Sequence, residues 1–316
     1  MIIDFECDSP TEEVKKETIA LLKSGGGFVH RGYFAQFGHR WAEMLNLTME
    51  ELNQTIRDRG YIEVAVMVAE KYLERTMTHQ EFIAMLDDAG VTQACIGTTG
   101  MWASVEDTAA ITREYPGRLF PFFRSSPHQG MPNVKRFEQT VKEMGFRGLV
   151  VSGFRENLPS NHKKYYPFYA KCVELDIPAR ITTALHLYTD RPLDLCRPAY
   201  LDEIACDFPE LTIVAGLGGW PWIAELLAVA RRHRNICIDL SCQRPKNVKN
   251  PGSGYAELIE SGNKGLQDQI IFASGWGTQG LPLKTIIEET RDLTKNETIY
   301  RKWMFDNAAR VLKLGK

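Results

Sequence analysis

FPELTIVAGLGGWPWIAELLAVARRHRNICIDLS, residues 208–241, is the stretch that decides the fold. LTIVAG is a short apolar run closed by glycine, and NICIDL is a second run of the same kind. Between them WIAELLAVARRHR carries its apolar residues at helical spacing. A strand, a helix and a strand in so short a span make a βαβ unit, in which the two strands lie parallel. The same rhythm extends in both directions. Strands are predicted at about Ile2–Glu6, Val91–Gly97, Leu119–Arg124, Arg147–Ser152, Ile177–Thr183, Leu211–Gly216, Asn235–Leu240 and Gln269–Ser274. From the second onward they recur roughly every 25–35 residues, the length of one strand–helix unit. Helices are predicted over Glu106–Glu114, Val134–Met144, Tyr165–Leu175, Pro198–Asp207, Trp222–Arg232 and Leu281–Leu293. In DAGVTQACIG (88–97), Gly90 reads as a helix stop feeding a buried strand.

Eight strands in a βα repeat form an open doubly wound sheet or a closed barrel. No GxGxxG follows the first strand, and no Gly-rich phosphate loop occurs elsewhere. The count and the length of 316 residues favour an α/β fold of one domain, a (β/α)8 TIM barrel, for which about 250 residues is typical. The surplus falls at 9–89, between strands 1 and 2. That segment reads as a lid-like helical insertion with helices near Thr48–Asp58 and Ile62–Arg75, and Gly25-Gly26-Gly27 as its hinge.

A 44% hydrophobic and 25% charged composition is that of a globular protein rather than a disordered one. Lys plus Arg number 38 against 40 Asp plus Glu, so there is no basic surplus to bind nucleic acid. The apolar runs are too short to span a bilayer, and the start MIIDFECDSP does not resemble a signal peptide. Seven scattered cysteines without CxxC spacing point to reduced thiols and a cytoplasmic setting.

In such a barrel the chemistry sits where strands end, at the C-terminal face. Those positions hold Glu6 and Asp8; Thr98, Thr99 and Trp102; Arg124 and His128; Arg155 and Glu156; Arg180, Thr182, His186, Tyr188, Asp190 and Arg191; Asp239 and Ser241; and Trp276. Carboxylates, arginines and aromatics together suit a small anionic or aromatic ligand.

IDFECDSP (3–10), LDIPARITT (175–183), the 208–241 stretch and the ending IIFASGWG (270–277) with DNAARVLKL (306–314) resemble the amidohydrolase-related family. The resemblance implies a (β/α)8 barrel and places the chain among aromatic-acid decarboxylases, lactone hydrolases and hydratases. It also implies one divalent metal held at four strand ends, and there this sequence departs. The His-x-His or Glu-x-His after strand 1 is Glu6-Cys7-Asp8, and the His-Thr-Gly after strand 5 is Thr182-Thr183-Ala184. The histidine after strand 6 falls on Leu217, and the aspartate after strand 8 on Gly275. Two carboxylates survive where tight zinc binding needs three or four ligands. The expectation is therefore no metal ligand and no cofactor.

Glu6 and Asp8, two apart on a strand, are read as the general acid and base. The alternative is that they merely fill an emptied metal site. Arg180 points into the barrel, either to clamp a substrate carboxylate or to replace the lost cation as the partner of Glu6 or Asp8. His186 is read as an assisting acid or base, against the reading of an ordinary loop histidine. Arg155, Thr182, Tyr188, Asp239, Trp276 and His128 are read as substrate-binding; packing is the first reading for the tryptophans Trp220, Trp222 and Trp276. The expected function is a metal-independent hydrolase or lyase (decarboxylase or hydratase type) acting on a small carboxylated ring compound or its ring-opened product, as a homo-oligomer with a small-molecule substrate and no nucleic-acid or membrane partner. The competing readings are a non-catalytic barrel or assembly subunit, and an enzyme with an atypical carboxylate-bound metal.

Overall fold

The computed structural model describes residues 1–24, 31–74, 76–97 and 103–315, with side chains for all of these except 31–37. The expectations at Gly25-Gly26-Gly27, Thr98, Thr99 and Trp102 lie outside the described residues. Eight strands, β1 (Ile3–Asp4), β2 (Gln93–Ile96), β3 (Leu119–Arg124), β4 (Gly148–Val151), β5 (Ala179–Thr182), β6 (Ile213–Gly216), β7 (Ile236–Asp239) and β8 (Ile270–Ile271), form one parallel sheet in chain order. Beyond the ladder its two edges meet: the Phe5 N–H donates to the Phe272 carbonyl at 3.0 Å and the Gly275 N–H to the Glu6 carbonyl at 2.8 Å.

Among the described residues, five helices lie between β1 and β2: α1 (Glu12–Lys23), α2 (Arg31–Met44), α3 (Met49–Arg59), α4 (Tyr61–Tyr72) and α5 (His79–Asp88). Thr48 and Thr78 start α3 and α5 with reciprocal capping boxes to Glu51 and Glu81. Around the sheet follow α6 (Val105–Glu114), α7 (Met131–Met144), α8 (Gly153–Glu156) and α9 (Tyr166–Glu174). Then come α10 (Ala199–Asp207), α11 (Ile223–Arg232), α12 (Pro245–Val248) and α13 (Ala256–Gly262). The chain closes with α14 (Trp276–Gln279), α15 (Leu283–Arg291), α16 (Glu297–Arg301) and α17 (Asn307–Val311).

Strand alternation sorts the side chains into two cores. Leu149, Val151, Ala179, Ile181, Ile213, Ala215, Ile236 and Ile238 face outward and pack on Phe137, Phe168, Tyr169, Leu201, Ile204 and Leu226 of the helices. Phe5, Cys95, Phe120, Phe122, Val150, Val214, Cys237 and Ile271 fill the interior, and Ala308 and Val311 of α17 pack against them. The same alternation sends Arg124, Arg180, Thr182 and Asp239 into the barrel above that apolar layer. Trp220 departs from the packing expected of it: it is 40% exposed, its indole lying over Gly254.

Candidate active site

β1 is shorter than the sequence predicts: the backbone bends at Phe5 and Glu6, and Asp8 lies beyond the strand rather than on it. Both carboxylates are nevertheless buried at the mouth. They are held by separate donors. Glu6 takes an ion pair from Arg180 Nη2, and the Cys242 thiol lies 3.8 Å from its other oxygen. Asp8 Oδ2 accepts the Thr278 N–H at 2.9 Å, and the Asp8 carbonyl accepts the Trp276 indole N–H at 3.0 Å. Burial, and then the negative charge of Asp8, pushes the Tyr72 hydroxyl up. That hydroxyl donates a short hydrogen bond to the Gly277 carbonyl, bringing the end of α4 onto the mouth. Nothing in the sequence around Tyr72 signals this reach; only the folded path of the insertion produces it.

Arg180 is the hub of the mouth. Its Nε donates to Asp239 Oδ2 at 2.7 Å, and its Nη2 donates to Asp239 Oδ1 at 3.3 Å and to Ser241 Oγ at 2.8 Å, besides Glu6. Asp239 Oδ1 also accepts the Leu217 N–H at 3.0 Å and the Ser241 hydroxyl at 2.5 Å. β6 makes room for the guanidinium by ending in glycine: a Cβ on Gly216 would lie 2.9 Å from Arg180 Nη2. Asp4 lies behind this network, accepting the Ser274 N–H at 2.8 Å and its hydroxyl at 2.5 Å. Burial outweighs those donors and raises its carboxyl to about 7.

A second group of charges lies at the ends of β3 and β4. Burial, and after it the neighbouring Arg155 charge, lowers the Arg124 guanidinium well below its ordinary value. Burial raises Glu156 beside them. His128 is exposed; its Nε2–H donates to the Glu156 carbonyl at 2.7 Å. His186 is buried rather than a surface loop residue. Its ring stacks on Phe154 at 5.5 Å, its Nε2–H donates to the Pro192 carbonyl at 2.8 Å, and Tyr188 packs on its edge. Arg191 lies 4.6 Å over the Tyr188 ring and donates to the Phe154 carbonyl at 2.6 Å. The mouth thus brings Glu6, Arg180 and Asp239 into one contact network, with Asp8 and Trp276 beside each other. Arg155, His128, His186 and Tyr188 belong to the β3–β5 side, and Thr182 is buried two residues beyond Arg180.

A family model for the amidohydrolases matches residues 38–314. The chain belongs to that family. Among solved structures it resembles an uncharacterized TIM-barrel protein from Bordetella bronchiseptica, at 20% identity over 99% of this chain and 98% of the other, TM-score 0.68. It also resembles 5-carboxyvanillate decarboxylase from Novosphingobium aromaticivorans complexed with manganese and 4-hydroxy-3-methoxy-5-nitrobenzoic acid: 14% identity, 99% and 96% coverage, TM-score 0.65. A third is 2,6-dihydroxybenzoate decarboxylase from Rhizobium, at 14% identity, 78% and 92% coverage, TM-score 0.61. At these identities the likeness establishes the barrel. Comparison with curated proteins gives no match.

The manganese of such a relative poses a test for this amidohydrolase's mouth, and the residues present do not fit a metal at the family positions. Glu6 is already engaged by a guanidinium, and the Leu217 side chain has no donor atom for a metal. An aspartate at 275 has no room, since a Cβ there would lie 2.6 Å from Cys242 Sγ. Among the described residues, no three His, Cys, Asp or Glu donors converge at the mouth.

Proposed function

We propose that this amidohydrolase is a lyase or hydrolase that works without a metal at the family site, by acid–base catalysis on a small carboxylated ring compound or its ring-opened product. The observation that carries the reading is the buried bridge from Glu6 through Arg180 to Asp239. A fixed guanidinium there supplies the positive charge that a divalent ion supplies elsewhere, and its planar fork satisfies two carboxylates at once.

In this reading Asp8 moves the proton, while Glu6, Arg180 and Asp239 set the charge and geometry around it. For decarboxylation, the Asp8 carboxyl protonates the ring carbon that bears the carboxylate. The C–C bond then breaks, its electrons return to the ring, and carbon dioxide leaves. For hydrolysis, the Asp8 carboxylate takes a proton from the attacking water instead. Arg155, with Arg124, receives the substrate carboxylate; Thr182 and Trp276 line the ring; His186 and Tyr188 form the aromatic wall with Phe154, and His128 stands at its rim. The 9–89 insertion acts as the lid, with Tyr72 as the part that uncovers Asp8. The working form is a cytoplasmic homo-oligomer with a small-molecule substrate.

The test is a panel of hydroxybenzoates, methoxybenzoates and pyrone carboxylates, assayed for carbon dioxide release and ring absorbance with and without chelator. Turnover that survives the chelator and disappears in Asp8→Asn supports the reading. Turnover that appears only after manganese or zinc is added overturns it. The mutual satisfaction of Glu6, Arg180 and Asp239 also suits an inert barrel. In that case no compound of the panel turns over, and Glu6→Gln with Asp8→Asn leaves ligand binding unchanged.

A further inference from the structure

We infer that the helical ring carries a second, separate site: a transition-metal site formed by Asp202, Cys206 and His233, of a kind that takes zinc. Asp202 and Cys206 stand four residues apart on α10, so they share one face of that helix. His233 is the residue at which α11 ends, where its N–H closes onto the Val229 carbonyl and the chain turns toward β7. One imidazole nitrogen, one thiol sulfur and one carboxylate oxygen from these three all lie within 4.8 Å of one another.

The carboxylate is aimed. Arg232 reaches Asp202 Oδ2 at 3.3 Å, while Oδ1 faces His233 Nε2 at 2.7 Å. A guanidinium on one oxygen leaves the other for an ion, the outer contact that orients a ligand. An N, S and O donor set selects a borderline-soft ion over calcium or magnesium, which want oxygen alone. With ligand bonds of about 2.0–2.3 Å, zinc needs His233 Nε2 and Asp202 Oδ1, now 2.7 Å apart, to separate slightly around it with the Cys206 sulfur beside them, and it keeps a fourth tetrahedral position for water. The proton between Nε2 and Oδ1 gives way to the ion, with neutral His233 carrying its hydrogen on Nδ1. Cys206 binds as thiolate, so one proton is released from its thiol per ion bound. Thiolate and carboxylate together cancel the charge of a divalent ion.

The seven cysteines are free thiols, and Cys206 alone is exposed, so thiolate ligation at this place has its own signature. The experiment titrates the full-length chain with cobalt(II) and follows the sulfur-to-cobalt charge-transfer absorption, then displaces cobalt with zinc. The expected result is a band that saturates near one ion per chain, is lost in Cys206→Ser and His233→Ala, and persists in Cys242→Ser. Arg232→Ala should weaken binding by about 10- to 100-fold. Circular dichroism verifies that each variant is folded, and Asp202→Asn provides an independent ligand change. Absence of a band in the wild type, or a band kept in Cys206→Ser and lost in Cys242→Ser, overturns the site. The proposal is independent of what the barrel mouth does, and this readout involves no turnover.

Discussion

Arg180 and Arg124 both project into the barrel from parallel strands, yet their surroundings differ. Arg180 meets two carboxylates and a hydroxyl, all buried with it. Arg124 has the Arg155 charge and the Glu156 carboxylate as neighbours, and burial works against its charge. A buried cation of the first kind holds structure together, because removing it strands two anions. A cation of the second kind shares one carboxylate with another arginine, and perturbed charges grouped in this way are common where a ligand binds. The two arginines therefore divide the mouth into a self-neutralised half, with two carboxylates around one arginine, and a half in which two arginines share the Glu156 carboxylate.

The comparison breaks first at Arg180. Arg180→Met should destabilise by about 3–5 kcal/mol in urea unfolding, since Glu6 and Asp239 would remain buried without their partner; a loss under 1 kcal/mol would dissolve the distinction. Gly216→Ala should cost roughly 1–3 kcal/mol by pressing a methyl group into the same guanidinium, with Arg180→Met in the same chain recovering part of it. Asp4 tests the self-neutralised half by pH. Its folded carboxyl titrates near 7 against an ordinary value of 3.8, so the folded state binds the extra proton between those values. Stability should accordingly fall as pH rises from about 4 to about 7 and level off above, and Asp4→Asn should remove that portion of the slope. The smallest effect on folding belongs to the other half. Arg124→Met should leave the melting temperature unchanged or raise it, while weakening the binding of ring carboxylates measured by calorimetry. A large loss of stability there would make Arg124 a second Arg180.

Most of the barrel is legible in the sequence because a strand buried on both faces and the helix behind it impose different periods on one short stretch. All eight strands fall where the alternation puts them, and the observed ladders are shorter at the ends, most of all at β1 and β8. α1 and α2 were not legible: Leu22 of α1 and Trp41 and Ala42 of α2 cluster with Leu52 and Ile56 of α3 and Val64 of α4, inside the insertion. The inward direction of Arg180 follows from alternation, but its choice of Glu6 and Asp239 follows from the register of strands far apart in the chain. Alternation is equally silent on His186, whose loop turns its ring onto Phe154, and on Tyr72, carried to the mouth by the path of α4. Chemistry-bearing residue types were readable; which of them satisfy one another was not.

The contact that joins the sheet's two edges has a consequence for how the chain folds. Asp4 receives Ser274 from 270 positions away, so the seam between the first and last strands closes only after almost the whole sequence is available. The middle ladders can zip by neighbouring βα units, each a short loop closure. The seam cannot, and until it forms, β1 and β8 are bare edges with unpaired backbone groups. Synthesis from the N-terminus therefore exposes β1 longest, and the interval before β8 emerges is when this barrel is most open to pairing with another chain.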